Sequence, residues 1–321
     1  MSSAGAGTTV SLARQPDAAA GRTPLKGGGH GPRRPSGLPW ILPAFVFVVG
    51  LVYYCIGYTG YISTLNWDGV SPSPAHVGFA NYITAFHDPV FWDAIRHTII
   101  FFVVTFCVQT AVGLAFAALL HSRVKLPNLY KVIIFVPVVL APATMAPIFR
   151  QIFSATGQFN TILGDIGLGS LEHPWLAQSS TALPVIMAIT IWEWTGVTFI
   201  LYFAAMTQID SEILEAARID GAGAWTRFWR MTVPLLSPTI FFAVIVSTIY
   251  AFQSFGAVDI LIGNQSAVRL HTNVLIYNIV NTLQVENNPG AAAIMATVLF
   301  LITLSLTVLQ MRFLERRVHY A

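Results

Sequence analysis

Apolar residues in this chain run on without interruption for about the 20 residues that an α-helix needs to cross a hydrocarbon core of about 30 Å. Short polar stretches then break the runs, and the three-to-four-residue alternation of a surface helix is missing. Six such spans are predicted, at 40–62, 95–120, 130–153, 183–206, 239–262 and 291–313. The expectation is an all-α integral membrane protein with six transmembrane helices. Residues 1–37, rich in Gly, Ala, Pro and Arg, carry no apolar periodicity and are expected to be a disordered arm. The domain of six helices then occupies 38–321. The first span lacks the short apolar core and small-residue cleavage site of a secretory signal, so it reads as a retained helix with Trp40 as a boundary anchor.

Composition removes the soluble alternative. Hydrophobic residues make up 55% and charged residues only 10%, where a soluble domain carries roughly a quarter charged residues. The Lys and Arg side chains then orient the spans. Arg14, Arg22, Lys26, Arg33 and Arg34 lie in the arm, and Arg123, Lys125 and Lys131 around the second connection. Arg218, Arg227 and Arg230 lie in the fourth connection, and Arg312, Arg316 and Arg317 at the carboxyl end. Only Arg96, Arg150 and Arg269 fall on the other side. Basic residues near span ends stay cytoplasmic, which places both termini inside. The net charge of +3 therefore reflects topology and gives no sign of nucleic-acid binding. Cys55 and Cys107 fall within spans, where they read as small apolar residues, and no zinc-ligand spacing occurs.

Three connections are then external. The first, 66–93, is rich in aromatic residues and free of Lys and Arg; Asn81, Tyr82, Phe91 and Trp92 suggest a short amphipathic helix on the membrane face, or an ordinary aromatic belt. The second, 154–182, reads as a loop with one helical turn. The third, 263–289, is rich in Asn, and its apolar residues either begin the last span or form a separate segment.

The cytoplasmic connection at 207–238 is the most readable stretch. Ser211 is placed to cap a helix whose first turn holds Glu212 and Glu215, where the helix dipole favours negative charge. Glu215 and Arg218 are spaced for a local pair. Gly221 supplies the left-handed conformation that ends such a helix. A second short helix follows, with Trp225, Phe228 and Trp229 on one edge, and Pro234 and Pro238 end it and start the fifth span. On these grounds alone the segment is either a hairpin in water or an interaction handle.

Glu215, Ala216 and Ala217, followed by Asp220, Gly221, Ala222, Phe228 and Pro234, closely resemble the signature of binding-protein-dependent ABC importer permeases. Weaker similarities in the same order extend the resemblance over about residues 40–320, toward the carbohydrate-uptake branch. It implies a type I importer permease fold in a bacterial plasma membrane. It also implies that these eight residues couple to a pair of cytoplasmic ATP-binding subunits. A second homologous permease chain and an external solute-binding lipoprotein complete the implied assembly, with ATP and Mg on the partner subunit and no cofactor on this chain. Met231, Val233 and the triplet Gly263, Asn264, Gln265 depart from the family pattern. The chain is not itself the motor and is not expected to be an enzyme. A phosphate-cradling loop needs Gly-Lys-Ser/Thr, and none of Lys26, Lys125 and Lys131 follows a glycine.

A polar solute crossing lipid needs hydrogen-bonding groups at membrane depth. Glu193 is the clear mid-span acid, flanked by Trp192 and Trp194; the alternative is a carboxyl that joins helices. Tyr250, Gln253, Ser254 and Asp259 share a stretch with Gly256 and read as a polar, locally broken helix facing a cavity, or as helix packing. Asn278 and Asn281 are further pathway candidates. The solute is expected to be a sugar, glycerol 3-phosphate or a glycerophosphodiester. The absence of Lys or Arg deep in a span favours a neutral one. A secondary transporter driven by an ion gradient is the competing class; it predicts paired intramembrane charges and inverted repeats, which the sequence lacks.

Overall fold

The computed structural model describes residues 38–122, 125–253, 256–262, 268 and 272–314. The arm, Arg123, Ser254, the triplet at 263–265, Arg269, Arg316 and Arg317 lie outside them. Two compact units are present, Met1–Gly50 and Leu51–Ala321. The described part of the first, 38–50, is helical, with every side chain from Trp40 onward exposed. From Trp40 it belongs to helix α1 (Trp40–Ile62), one of four helices among the described residues that are long and apolar enough to cross a membrane. The others are α3 (Pro89–His121), α7 (Ala182–Thr207) and α13 (Pro289–Leu314). Two bent pairs bring the count to six if each pair is one span.

The first bent pair divides the expected span at 130–153. Helix α4 (Pro127–Val139) and helix α5 (Pro142–Ile152) meet at 96°. Proline at position 142 has no N–H to give, and its ring forces the preceding residue out of helical geometry. Ala141 is accordingly extended, at φ −65° and ψ 134°, and α5 restarts with Pro142 in its first turn. The second pair is α9 (Ala224–Leu235) and α10 (Ser237–Gln253), bent by 64° next to Pro234 and Pro238. Within the expected fifth span at 239–262, α10 is described to Gln253 and α11 over Gly256–Ile262, and residues 254 and 255 lie outside the described residues.

Two helices begin with the same device. Asp88 Oδ1 accepts from Val90 N at 2.9 Å ahead of Pro89, and Asn288 Oδ1 accepts from Ala291 N at 3.0 Å ahead of Pro289. An Asx cap with proline in the first turn satisfies a free N–H and presets φ. It starts α3 at Pro89, earlier than the predicted 95. The connection before α3 holds the expected amphipathic helix, α2 (Ala80–His87), and also a β-ladder that the all-α expectation omits. In that ladder β1 (Leu65–Asn66) pairs antiparallel with β2 (Ala75–His76). The second connection is more ordered than one turn: α6 (Gln158–Asp165) precedes a 3₁₀ turn at Gly169–Leu171. In the third, α12 (Leu275–Gln284) is a helix of its own, separated from α13 by a turn containing Asn287 at φ +50°.

Helix α7 packs against both α3 and α4. Lipid offers no hydrophobic drive for helix association, so close contact rests on small residues and hydrogen bonds. A Cβ on Gly113 of α3 would collide with the Thr198 hydroxyl and reach Phe199 N at 3.0 Å; one on Gly196 of α7 would sit 2.7 Å from Ile134 O. Phe101 packs with Val185 and Ile186, whereas Leu114 and Leu120 pack with Phe199 and Met206, so α3 and α7 run in the same direction. Phe91 and Ala94 pack with Ile294 and Val298, which puts the amino ends of α3 and α13 side by side. Glutamines tie α10 into this frame: Gln109 Nε2 donates to Ser247 Oγ at 2.9 Å and Gln310 Nε2 to Thr248 Oγ1 at 2.7 Å.

Candidate functional site

The segment between α7 and α10 forms a two-helix handle at the carboxyl end of α7. Helix α8 (Ser211–Ile219) is capped by Asp210, whose Oδ1 accepts from Glu212 N at 3.0 Å; Ser211, the expected cap, is instead its first residue. Gly221 lies at φ +81°. Around it Gly221 N donates to Arg218 O at 3.1 Å and Ala222 N to Ala217 O at 3.0 Å, the paired bonds of a Schellman end. Arg227, which the sequence marks only as one of the orienting cations, donates from Nη1 to Ala222 O at 2.8 Å and locks α9 against the turn. No ion pair joins Glu215 to Arg218 among the described residues.

Glu215, Ala216, Asp220 and Gly221 are exposed, Ala217 is buried, and Ala222, Phe228 and Pro234 are half-buried. The two alanines thus divide, Ala217 holding the helix to its own chain and Ala216 facing outward. Ile219 is 87% exposed and Trp225 74% exposed, with Trp229 edge-on to Trp225. These exposed apolar side chains and the capped turn share one end of the handle.

Of the candidate pathway residues, Trp194 of α7 and Tyr250 of α10 meet with ring centroids 3.6 Å apart. Trp192 turns to the other side, edge-on to Phe149 of α5 at 5.4 Å. Glu193, between them in sequence, is half-buried, Gln253 of α10 is exposed, and Asp259 is half-buried on α11. Asn278 and Asn281 belong elsewhere: they line a cleft of 650 Å³ at the amino ends of α3 and α13 that none of the preceding pathway residues reaches. Sequence reasoning missed most of this cleft, including Asp88, Thr282 and Glu286. The Asn-rich third connection, with Asn81 and Phe91 of the first, was its visible signal. Its walls are stitched together: Asn81 Nδ2 donates to Leu65 O at 2.9 Å, Gly290 N to Trp67 O at 3.3 Å, and His97 Nδ1 meets Asn273 Oδ1 at 3.0 Å. Beside it, the turn after β1 is held by Asp68, whose carboxylate accepts from Ser71 and Val70 N–H groups; those bonds keep its pKa below the ordinary 3.8.

Comparison with known proteins places this geometry. Residues 109–320 match the family described as "Binding-protein-dependent transport system inner membrane component". A Bacillus subtilis protein described as a probable ABC transporter permease, YurN, is 32% identical over 279 residues, which is 86% of this chain and 94% of that one. The sn-glycerol-3-phosphate transport system permease protein UgpA of Agrobacterium fabrum is 31% identical, over 88% of this chain and 96% of that one. The lactose transport system permease protein LacF of Rhizobium radiobacter is 37% identical over 182 residues, 56% of this chain and 61% of that one. Among solved structures, a chain of a bacterial alginate ABC transporter in complex with alginate pentasaccharide-bound periplasmic protein superposes with a TM-score of 0.77. It is 19% identical, over 87% of this chain and 93% of that chain, so it supports the fold.

Proposed function

Because the chain belongs to the binding-protein-dependent transport system inner membrane component family, we propose that it moves a small polar solute inward by coupling to an ATPase at the α8–α9 handle. The solute, a sugar or a glycerol-3-phosphate-type compound, arrives on an external binding protein. A second homologous permease chain completes the pathway, and a pair of cytoplasmic subunits binds ATP and Mg. Both termini and the handle lie on the cytoplasmic side, where most Lys and Arg are found.

The observation that carries this reading is the handle itself. Its helix is closed by a Schellman turn at Gly221, braced by Arg227, and continued through α9 into α10 across one bend. A push on α8 is therefore delivered to α10, which bears Tyr250 and Gln253, instead of being lost in a flexible loop. Trp194, Tyr250, Glu193 and Gln253 then line the route, with Trp192 and Asp259 beside it. Aromatic faces stack on sugar rings or apolar solute faces, and the polar groups replace water at depth.

The experiment is co-expression with the cognate ATPase and binding protein. Gly221→Pro cannot adopt φ +81°, and Glu215→Lys reverses a charge on the exposed face; each is expected to abolish ATP-driven uptake while the chain still inserts. Undiminished uptake in both variants, or solute movement by the chain alone without ATP, overturns the coupling role.

A further inference from the structure

The cleft at the amino ends of α3 and α13 lies at the opposite end of the bundle from the handle. Its wall on α12 carries Asn278, Asn281 and Thr282 at i, i+3 and i+4, one polar stripe on one helical face. Tyr277 and Phe91, each 3% exposed, contribute aromatic surface beneath that stripe. Amides and hydroxyls both donate and accept, as each hydroxyl of a sugar does. The volume of 650 Å³ is within the usual range of small-molecule sites, about 300–1,000 Å³.

The charges are one-sided. Asp88 and Glu286 line the cleft, and no Lys, Arg or His does so among the described residues. Asp88 caps α3, and Glu286 Oε1 accepts from Asn281 Nδ2 at 3.0 Å, so both carboxylates are held in place. An anionic solute entering here meets fixed negative charge and, among the described residues that line the cleft, no counter-charge, which is discrimination by repulsion. The wall stitching at Leu65, Trp67 and Asn273 makes the shape preformed.

We infer that this cleft is a binding site for a neutral sugar or polyol on the external face, and that its carboxylates turn away glycerol-phosphate-type anions. The inference rests on the importer reading for its direction, and it separates the two solute classes that the relatives' names leave side by side.

Saturation-transfer NMR on the full chain in lipid nanodiscs tests it, with lactose, trehalose and maltitol as neutral probes and sn-glycerol 3-phosphate as the anion. At least one neutral probe is expected to give transfer that the double variant Asn278→Leu, Thr282→Val removes while circular dichroism stays unchanged. Glycerol 3-phosphate is expected to be weaker by about threefold per carboxylate at low salt, and to gain in Glu286→Lys, a change at an exposed residue. Equal or stronger transfer from glycerol 3-phosphate on the unaltered chain overturns the inference. So does silence from all three neutral probes, the result expected if the cleft instead receives a loop of the binding protein. Transfer indifferent to the lining changes overturns it as well. The importer reading fails separately: ATP-driven uptake of glycerol 3-phosphate by the whole complex sinks the selectivity and leaves the importer standing. Sugar binding in the cleft of a chain that associates with no ATPase does the reverse.

Discussion

Gly113 and Gly196 set the spacing of the helices around α7. A methyl group at Gly196 has nowhere to go, because Ile134 O and the Val138 side chain already occupy the space. Gly196→Val is expected to destabilise the bundle by about 1–3 kcal/mol, the usual cost of overpacking, read as a lower unfolding midpoint in detergent. Ser at the same place is expected to lose less. Asp68 makes a different kind of prediction. Its folded pKa is depressed, so its contribution to the turn at 68–71 is present above the ordinary 3.8 and is lost as pH falls through the lowered folded value. Amide exchange at Val70 and Ser71, compared with Asp68→Asn after correction for the intrinsic pH dependence of exchange, should converge between the two proteins only under acid. Protection that differs equally at all pH values would mean that the carboxylate charge is not what holds the turn.

At the scale of an element, α8 shows what local chemistry settles and what it leaves open. Gly221 was legible because a helix ending in the left-handed region favours glycine, and that is the conformation found. The cap was not: Asp210 and Ser211 are adjacent, both competent, and only the backbone path selects Asp210. Gly221→Ala keeps the helix at a cost of about 1 kcal/mol, so its uptake should fall only partly where Gly221→Pro abolishes it. Arg227→Ala, which removes the bond to Ala222 O, should raise amide exchange at Gly221 and Ala222 while leaving the middle of α8 unchanged. The break between α4 and α5 was hidden for another reason. Hydropathy averages over a run, and Pro137, Pro142 and Pro147 count in that average as moderately polar residues although one of them redirects the chain.

For the molecule as a whole, long apolar runs made the span segments readable, whereas the sites depend on pairings across great sequence distance. Trp194 with Tyr250, and His97 with Asn273, are such pairings, and no local pattern announces them. Glu193→Ala and Gln253→Ala are each expected to change transport or substrate-stimulated ATPase activity without releasing the ATPase. Unaltered kinetics in both would reassign them to packing.

The right-angle turn at Leu140 and Ala141 has a consequence for hydration. Helix α4 has 13 residues and α5 has 11; at about 1.5 Å per residue neither crosses a core of about 30 Å by itself. Backbone carbonyls released at the turn cannot be left facing hydrocarbon, where each would cost several kcal/mol. Such carbonyls need either protein or water over them; with Leu140 exposed, water entering from one side of the membrane is the expected cover, which makes this corner a wet indentation. A cysteine at the exposed Leu140 should therefore react with a charged maleimide that leaves one at Val103, an exposed position within the apolar run of α3, untouched.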